Sequence, residues 1–245
     1  MKKNYKSYLE NEKIKKDYND YQSKYEDKPR ESDKKIIEII SRKYNKNSVF
    51  KVLDFGCSTG NLLKHILLHY PKAQICGYDL SDSAVKLCKK KFDKKFIFEV
   101  KNIINFKSRD QFDVIIVNAV LYLFDWRDFK KSINNIFKSL NNNGIFISFE
   151  WYHPFDLQDI TIKETSMYHP KGLTIHNRPQ KMVNEVCLNT GFKNVNFEDF
   201  EIGINLPKTK SNEEVSSYTI KTEQGKNLLF RGALSQPWSH LIASK

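Results

Sequence analysis

No stretch of this sequence approaches the roughly 18–20 consecutive apolar residues that a membrane-crossing helix needs. The start, MKKNYKSYLENEKIKKDY, is positively charged but has no apolar segment behind it, so it does not read as an export signal. Cysteine is sparse: Cys57, Cys76, Cys88 and Cys187 show neither C-x-x-C nor any other metal-ligand spacing. That spacing argues against a disulfide scaffold and against a metal site, and reduced thiols in a cytoplasmic protein are expected. Acidic residues are in deficit, 29 against 41 Lys and Arg, which leaves a net charge of +12. A basic surface suits nucleic acid or an anionic small molecule. Here the excess is mostly Lys, scattered among Asn and Ile rather than gathered in a block, and it favours the small molecule. Internal repeats and low-complexity linkers are missing too.

What is present fits one α/β domain with additions, since 40% of the 245 residues are hydrophobic. Residues 1–48 read as two helices. Tyr5, Tyr8, Tyr18, Tyr21 and Tyr25 form an aromatic, lysine-rich stretch up to Pro29. Ile36, Ile37, Ile39, Ile40 and Tyr44 then recur at helical spacing over residues 30–44. The tyrosines are either the packing of a loosely held helix or part of a lid over a bound ligand. From residue 50, strands at 50–55, 73–78, 95–100, 112–118 and 145–151 alternate with helices. The helices are 61–70, 82–92 with Ser81 as N-cap, and 126–140, which residues 141–144 stop. Such alternation implies a parallel sheet covered on both faces, with ligands at the carboxyl ends of its strands. Residues 152–177 read as a long irregular segment of the kind that carries function. A helix at 178–190 and a strand at 193–202 follow, then strand-like runs at 217–222 and 227–234. The last strand is expected antiparallel beside the fifth.

The first strand ends in Asp54 and turns through Gly56-Cys57-Ser58-Thr59-Gly60 into a helix. Glycines let such a loop turn sharply and bring its backbone close to a ligand. Asp79 ends the second strand, 19 residues after Gly60, where a carboxylate can accept both hydroxyls of a ribose. The loop is not G-x-G-x-x-G, which argues against the pyrophosphate of NAD, and it lacks the G-K of a P-loop. Asp54 would repel a pyrophosphate but suits a cationic cofactor with an ammonium group. The plain alternative for both acids is strand-end capping.

The segment Val52-Leu53-Asp54-Phe55-Gly56-Cys57-Ser58-Thr59-Gly60 resembles motif I of the class I, Rossmann-like S-adenosylmethionine-dependent methyltransferases. Gly77-Tyr78-Asp79-Leu80-Ser81 is similar to their second motif, Asn102-Ile103 to the third, and the run from Phe112 to Leu121 to the fourth. Residues 140–149, around Gly144, resemble the strand after the last core helix. The likeness covers residues 50–150 in order. Two departures stand out: Ser58 replaces the middle glycine, and Asn102 stands where many members have Asp.

This resemblance implies a doubly wound, seven-stranded, mostly parallel sheet with an antiparallel last strand. N-terminal helices and an insertion after the fifth strand complete it. Residues 1–48 would be a helical lid, 49–151 the cofactor-binding core, and 152–245 the acceptor-binding region. It also implies S-adenosylmethionine as cofactor. Gly56, Ser58 and Gly60 would pass under its methionine and ribose, and Asp54 would orient that end. Asp79 and Leu80 would hold the ribose, Asn102 and Ile103 would frame the adenine, and Asn118 and Ala119 would line the methyl side.

The acceptor residues are expected in the irregular parts. Glu150, Trp151, Tyr152, His153 and Pro154 follow one another at the end of the fifth strand, with Tyr122 opposite. His153 is the first candidate for a general base and His176 the second, because histidine titrates near neutral pH. Arg178 and Arg231 are candidate ligands for an anionic acceptor, with His169 and His240 as further candidates. Loose likeness of residues 150–154, 172–179 and 230–238 to bacterial sugar-pathway methyltransferases ranks a capsule or glycan metabolite first among acceptors. A sugar phosphate or phosphoramidate falls in that class. The expected reaction is therefore O-methylation of a small anionic molecule. An RNA methyltransferase and a small-molecule N-methyltransferase are the alternatives, although Asn118 is not followed by the Pro-Pro-Tyr of DNA amino-methylating enzymes.

Overall fold

A computed structural model describes residues 11–107, 110–165, 172–207, 217–231 and 239–245. Two helices come first, α1 (Glu12–Ser23) and α2 (Glu31–Ser41). The alternating core then runs β1 (Lys51–Phe55), α3 (Asn61–His69), β2 (Gln74–Asp79), α4 (Asp82–Lys91), β3 (Ile97–Val100), β4 (Phe112–Asn118), α5 (Trp126–Ser139) and β5 (Leu140–Glu150). After it come β6 (Tyr152–His153), β7 (Ile160–Glu164), β8 (Leu173–Pro179), α6 (Gln180–Thr190) and β9 (Asn194–Asp199). The last elements are β10 (Ser217–Lys221), β11 (Asn227–Arg231) and β12 (Ser239–Ser244). No helix among the described residues is long and apolar enough to cross a membrane. All four cysteines are free and buried.

The main sheet has seven strands in the order β3-β2-β1-β4-β5-β12-β9. Strands β1 to β5 are parallel, and β12 inserts antiparallel between β5 and β9. This is the expected doubly wound sheet with its reversed last strand. Period-two alternation sends Leu53, Phe55, Ile115 and Val117 into one core and Val52, Val114 and Ile116 into the other. The first core packs under α5 and α6, the second under α2, α3 and α4. The chain winds outward from β1 to β3 and then returns to β4 on the other side, so a crevice opens at the carboxyl ends of β1 and β4.

The two N-terminal helices are held very differently. Helix α2 buries Ile36, Ile37, Ile39 and Ile40, each worth roughly 1.5–3 kcal/mol of hydrophobic burial. Helix α1 has one buried residue, Gln22. Packing therefore fixes α2 to the core, whereas α1 is held mainly by polar contacts.

Beyond the fifth strand the structure departs from expectation. Residues 152–177 are not irregular throughout: β7 and β8 form an antiparallel hairpin, and β6 pairs with β8. Alternating exposure along β7 shows a half-buried strand of period two. Arg178 is not at a helix start. It lies in β8 opposite Tyr152, and α6 begins two residues later, after Pro179. Helix α5 ends on extended Leu140, and within residues 141–144 it is Asn143 that takes a positive φ, 66°.

The turn after β4 is clamped from both sides. The amide of Ala119 donates to the Phe149 carbonyl, and those of Val120, Leu121 and Tyr122 all donate to the Glu150 carboxylate at 2.8, 2.8 and 3.0 Å. From the other side, Arg178 donates to the carbonyls of Leu121 and Phe124. Its guanidinium lies 4.8 Å from the Trp126 ring and 4.5 Å from Phe129 and is 1% exposed. Both terminal nitrogens of Arg178 are thus committed to this turn, and Nε is buried without a partner, so the side chain is a brace rather than an open acceptor ligand. Tyr152 is likewise a core residue, its hydroxyl 3.1 Å from Ser148 and its ring edge-on to Phe197.

Replacing Arg178 by Ala strands two buried carbonyls and opens a void, so the unfolding free energy should fall by about 3–5 kcal/mol, as measured by denaturant titration. Lys, lacking the planar fork, should not restore it. Burial pushes the Glu150 carboxyl up to about 7, against the usual 4.5, despite its three amide donors. Between those values the folded chain keeps a proton that the unfolded chain has released, so stability should fall as pH rises across the window. Glu150→Gln should flatten that part of the stability curve.

Candidate active site

The loop from Gly56 to Gly60 sits at the crevice in an unusual backbone conformation. Gly56, Ser58 and Gly60 have φ of 81°, 48° and 78°. A Cβ on Gly56 would come within 2.4 Å of the Val120 side chain, so the close approach of the clamped turn requires glycine there. Ser58 does hold the position of the missing glycine, at a cost of roughly 1–2 kcal/mol for the left-handed region. Its amide, donated to Asp79 Oδ2 at 2.8 Å, offsets part of that. Gly60 starts α3 without a side-chain cap.

Two neighbouring strands end in buried carboxylates. Asp79 accepts the Ser58 amide on Oδ2 and the Ser81 amide on Oδ1, both at 2.8 Å. The Leu80 amide also acts on this carboxylate, whose remaining lone pairs can accept a further donor. Burial raises its pKa, against the pull of these amides. Asp54 is 2% exposed, and its Oδ1 has no hydrogen-bond partner. Burial, then the negative charges of Asp33 and Asp79, push its carboxyl well above the usual range. Asp33, on the first turn of α2, is itself buried and raised by that burial. Among the described residues no three His, Cys, Asp or Glu side chains come close enough to share a metal ion. The acid groups instead lie near enough for Asp33 and Asp79 to act on Asp54 without any shared cation.

Helix α1 packs against this loop and the starts of α3 and α4. The Gln22 carbonyl accepts from Asn61 Nδ2 at 2.6 Å, and Asn19 donates to Ser83 at 3.3 Å. Lys91 Nζ reaches the Thr59 carbonyl at 3.0 Å and pairs with Glu26 at 3.4 Å. The Tyr18 hydroxyl lies by Ser58, Gln22 and Asp79, and burial raises its pKa even though the ring is half-exposed. Asn102 accepts the Ile104 amide on Oδ1 at 3.0 Å, which leaves its NH2 as the group for a ring nitrogen. Ile103 is buried beside it, and Leu80 packs against the same core. Asn118 donates to Asp33 at 3.4 Å, and Ala119 follows with φ 57°.

The acceptor candidates separate into groups. The Tyr122 and Trp151 rings meet at 4.9 Å, tilted by 57°, against Leu173 and Ile175. His153 is fully buried: its Nδ1 accepts the Phe155 amide at 3.2 Å, its Nε2 has no partner, and burial lowers its pKa. His176 meets Thr161 at 3.1 Å and is lowered by burial and by Arg178. Asp159, whose carboxylate takes the Trp126 indole at 2.6 Å, acts on His153, His176 and Arg178 together. His240 does not join them. It stacks on Phe149 at 4.7 Å beneath α2, pushed down to about 4 by burial, and stays neutral. Arg231 ends β11, but its side chain, like His169, lies outside the described part.

Sequence reasoning missed Asp33, Gln22, Asn61 and Asp159. For Asp33 a signal existed, the capping box it forms with the Arg30 amide at 3.1 Å. A cap predicts a carboxylate facing its own helix, not one facing Asn118.

Comparison with known proteins now adds to the geometry. A malonyl-[acyl-carrier protein] O-methyltransferase of Bacillus anthracis is 31% identical over 114 residues, 46% of this chain and 41% of that protein. A carboxy-S-adenosyl-L-methionine synthase of Campylobacter hominis is 34% identical over 128 residues, 49% of this chain and 52% of that one. The chain thus spans about half or less of the length of these two relatives. In fold it is similar to the 1,6-didemethyltoxoflavin-N1-methyltransferase of Burkholderia thailandensis, with a TM-score of 0.62 at 10% identity, covering 100% of this chain and 91% of that one. Residues 46–187, more than half of the sequence, match the model of the methyltransferase domain family, and the chain belongs to that family.

Proposed function

We propose that the protein is an S-adenosylmethionine-dependent methyltransferase that methylates an oxygen of a small anionic molecule. The observation that carries this reading is the Asp54 carboxyl, buried with an unpartnered oxygen between two further acids. A carboxylate in that position is costly until a cation arrives. The ligand must bring positive charge to β1 and hydroxyl donors to β2. S-adenosylmethionine carries both, as a sulfonium, an ammonium and a ribose diol.

When bound, the sulfonium supplies an electrophilic methyl group. Asp79 would take the diol with the lone pairs that the Ser58 and Ser81 amides leave over. Asp54 would stabilise the cationic end, and the bare backbone from Gly56 to Gly60 would lie beneath it. Asn102 and Ile103 would border the adenine, and Asn118 and Ala119 the methyl. Helix α1, attached mainly by polar contacts, would act as the lid over this site and exclude water.

The acceptor site would lie between the clamped turn and the β7–β8 hairpin, near Tyr122, Trp151, His153 and His176. An anionic oxygen needs no proton removed, so much of the acceleration can come from its placement in line with the methyl. The fully buried, amide-bonded His153 suits orientation better than proton shuttling. Relatives named for O-methylation of a malonyl group, itself an acid, support an anionic acceptor. Simple dicarboxylates and sugar phosphates are the first compounds to test.

Asp79→Ala should weaken S-adenosylmethionine binding by about 10- to 100-fold in calorimetry, the worth of a charge-assisted hydrogen bond, without loss of fold. Unchanged affinity would mean the ribose sits elsewhere. His153→Gln should lower methyl transfer from labelled donor by less than about tenfold, whereas loss of a true general base costs about 100- to 10,000-fold. A drop in the larger range would assign proton removal to His153 and a neutral acceptor to the enzyme.

A further inference from the structure

We infer that Asp33 is a cofactor-binding residue, the second carboxylate of a paired seat for the α-ammonium group on the cofactor's amino-acid end. The inference rests on the proposed cofactor and extends it to a residue outside the motif-bearing core. Four observations carry it. Asp33 is 1% exposed, although it stands in the first turn of a helix, where carboxylates are normally solvated. Only one of its oxygens serves that helix, Oδ2 accepting the Arg30 amide at 3.1 Å. The other, Oδ1, turns to the end of β4 and meets Asn118 Nδ2 at 3.4 Å, a long contact that leaves it able to accept a stronger donor. Finally, Asp33 is the largest charged influence on Asp54, whose own Oδ1 has no partner.

The charge balance calls for a cation at this spot. Among the described residues neither Asp33 nor Asp54 forms an ion pair with Lys or Arg. Arg30, the nearest guanidinium to Asp33, is instead committed to the Gln22 amide oxygen at 2.7 Å and to the face of Tyr25 at 4.0 Å. Arg30 and His65 offset part of the charge on Asp33, whereas burial and two acids alone act on Asp54, so the pair is suited to a primary ammonium, whose three N–H donors can serve both. A diffuse sulfonium has no donors and could not satisfy either oxygen. The seat therefore discriminates the amino-acid end from the nucleoside end. Because Asp33 sits on rigid α2 directly after α1, an occupied seat would also tie the lid's hinge to the cofactor.

The test compares two ligands on the intact chain by calorimetry. S-adenosylhomocysteine carries the ammonium; 5′-methylthioadenosine has the same nucleoside and sulfur but no amino-acid end. Asp33→Asn keeps a side-chain acceptor for the Arg30 amide, and circular dichroism and thermal unfolding verify its fold. The expected result is an S-adenosylhomocysteine affinity lower by about 10- to 100-fold with 5′-methylthioadenosine affinity unchanged within about twofold. Asp33→Glu, which restores the charge, should recover part of the loss. Equal losses for both ligands, or no loss for either, would overturn the assignment. Wild-type protein that binds neither ligand would instead sink the proposed cofactor itself, an outcome distinct from failure of Asp33 alone.

Discussion

The structure depends on carboxyl groups held out of water at the carboxyl ends of two adjacent parallel strands. Taking a carboxylate into the interior costs several kcal/mol unless something compensates it. Asp79 is compensated by the amides of Ser58, Leu80 and Ser81. Asp54 is not, and Asp33 beside it makes the deficit larger. Folding supplies the energy for this arrangement elsewhere, from two continuous apolar cores on either side of the sheet. A strained serine in the left-handed region and an unpaired acid are affordable only on such a frame.

The opposite wall of the crevice is fixed by a different device. One short turn after β4 has its amides taken by Glu150 and its carbonyls by Arg178, so little freedom remains in residues 119–124. The two groups come from different segments, Glu150 from the end of β5 and Arg178 from near the end of β8. The hairpin that follows β5 therefore does two jobs. It braces the turn after β4 through Arg178, and its Leu173 and Ile175 pack against Trp151 and Tyr122. Covering helices complete the enclosure, α2 anchored by four isoleucines and α1 resting on polar contacts.

The order of strands and helices over residues 50–150 was legible in the sequence because the strands are short apolar runs, although β5 starts at Leu140, inside the expected helix stop, and β3 only at Ile97. Phe112–Asn118 was placed to the residue. The β7–β8 hairpin was not legible, since Ile160 and Ile162 alternate with Thr161 and Lys163 over only five residues among His and Pro. Arg178 shows a more general difficulty: a buried arginine serving backbone carbonyls and one serving a ligand have the same sequence signature. Tyr152 shows it for aromatic residues. Asp33 was hidden for the opposite reason, because a carboxylate in a first helical turn is so ordinary that only its neighbours in space mark it as unusual.

The most direct test of the charge argument is proton release. If Asp54 retains a proton because no cation is near, binding of cationic S-adenosylmethionine should expel it. Calorimetry in buffers of differing ionisation enthalpy counts that proton. The account predicts net release on binding, abolished in Asp54→Asn. Binding with no release, or release unaltered by that substitution, would contradict it.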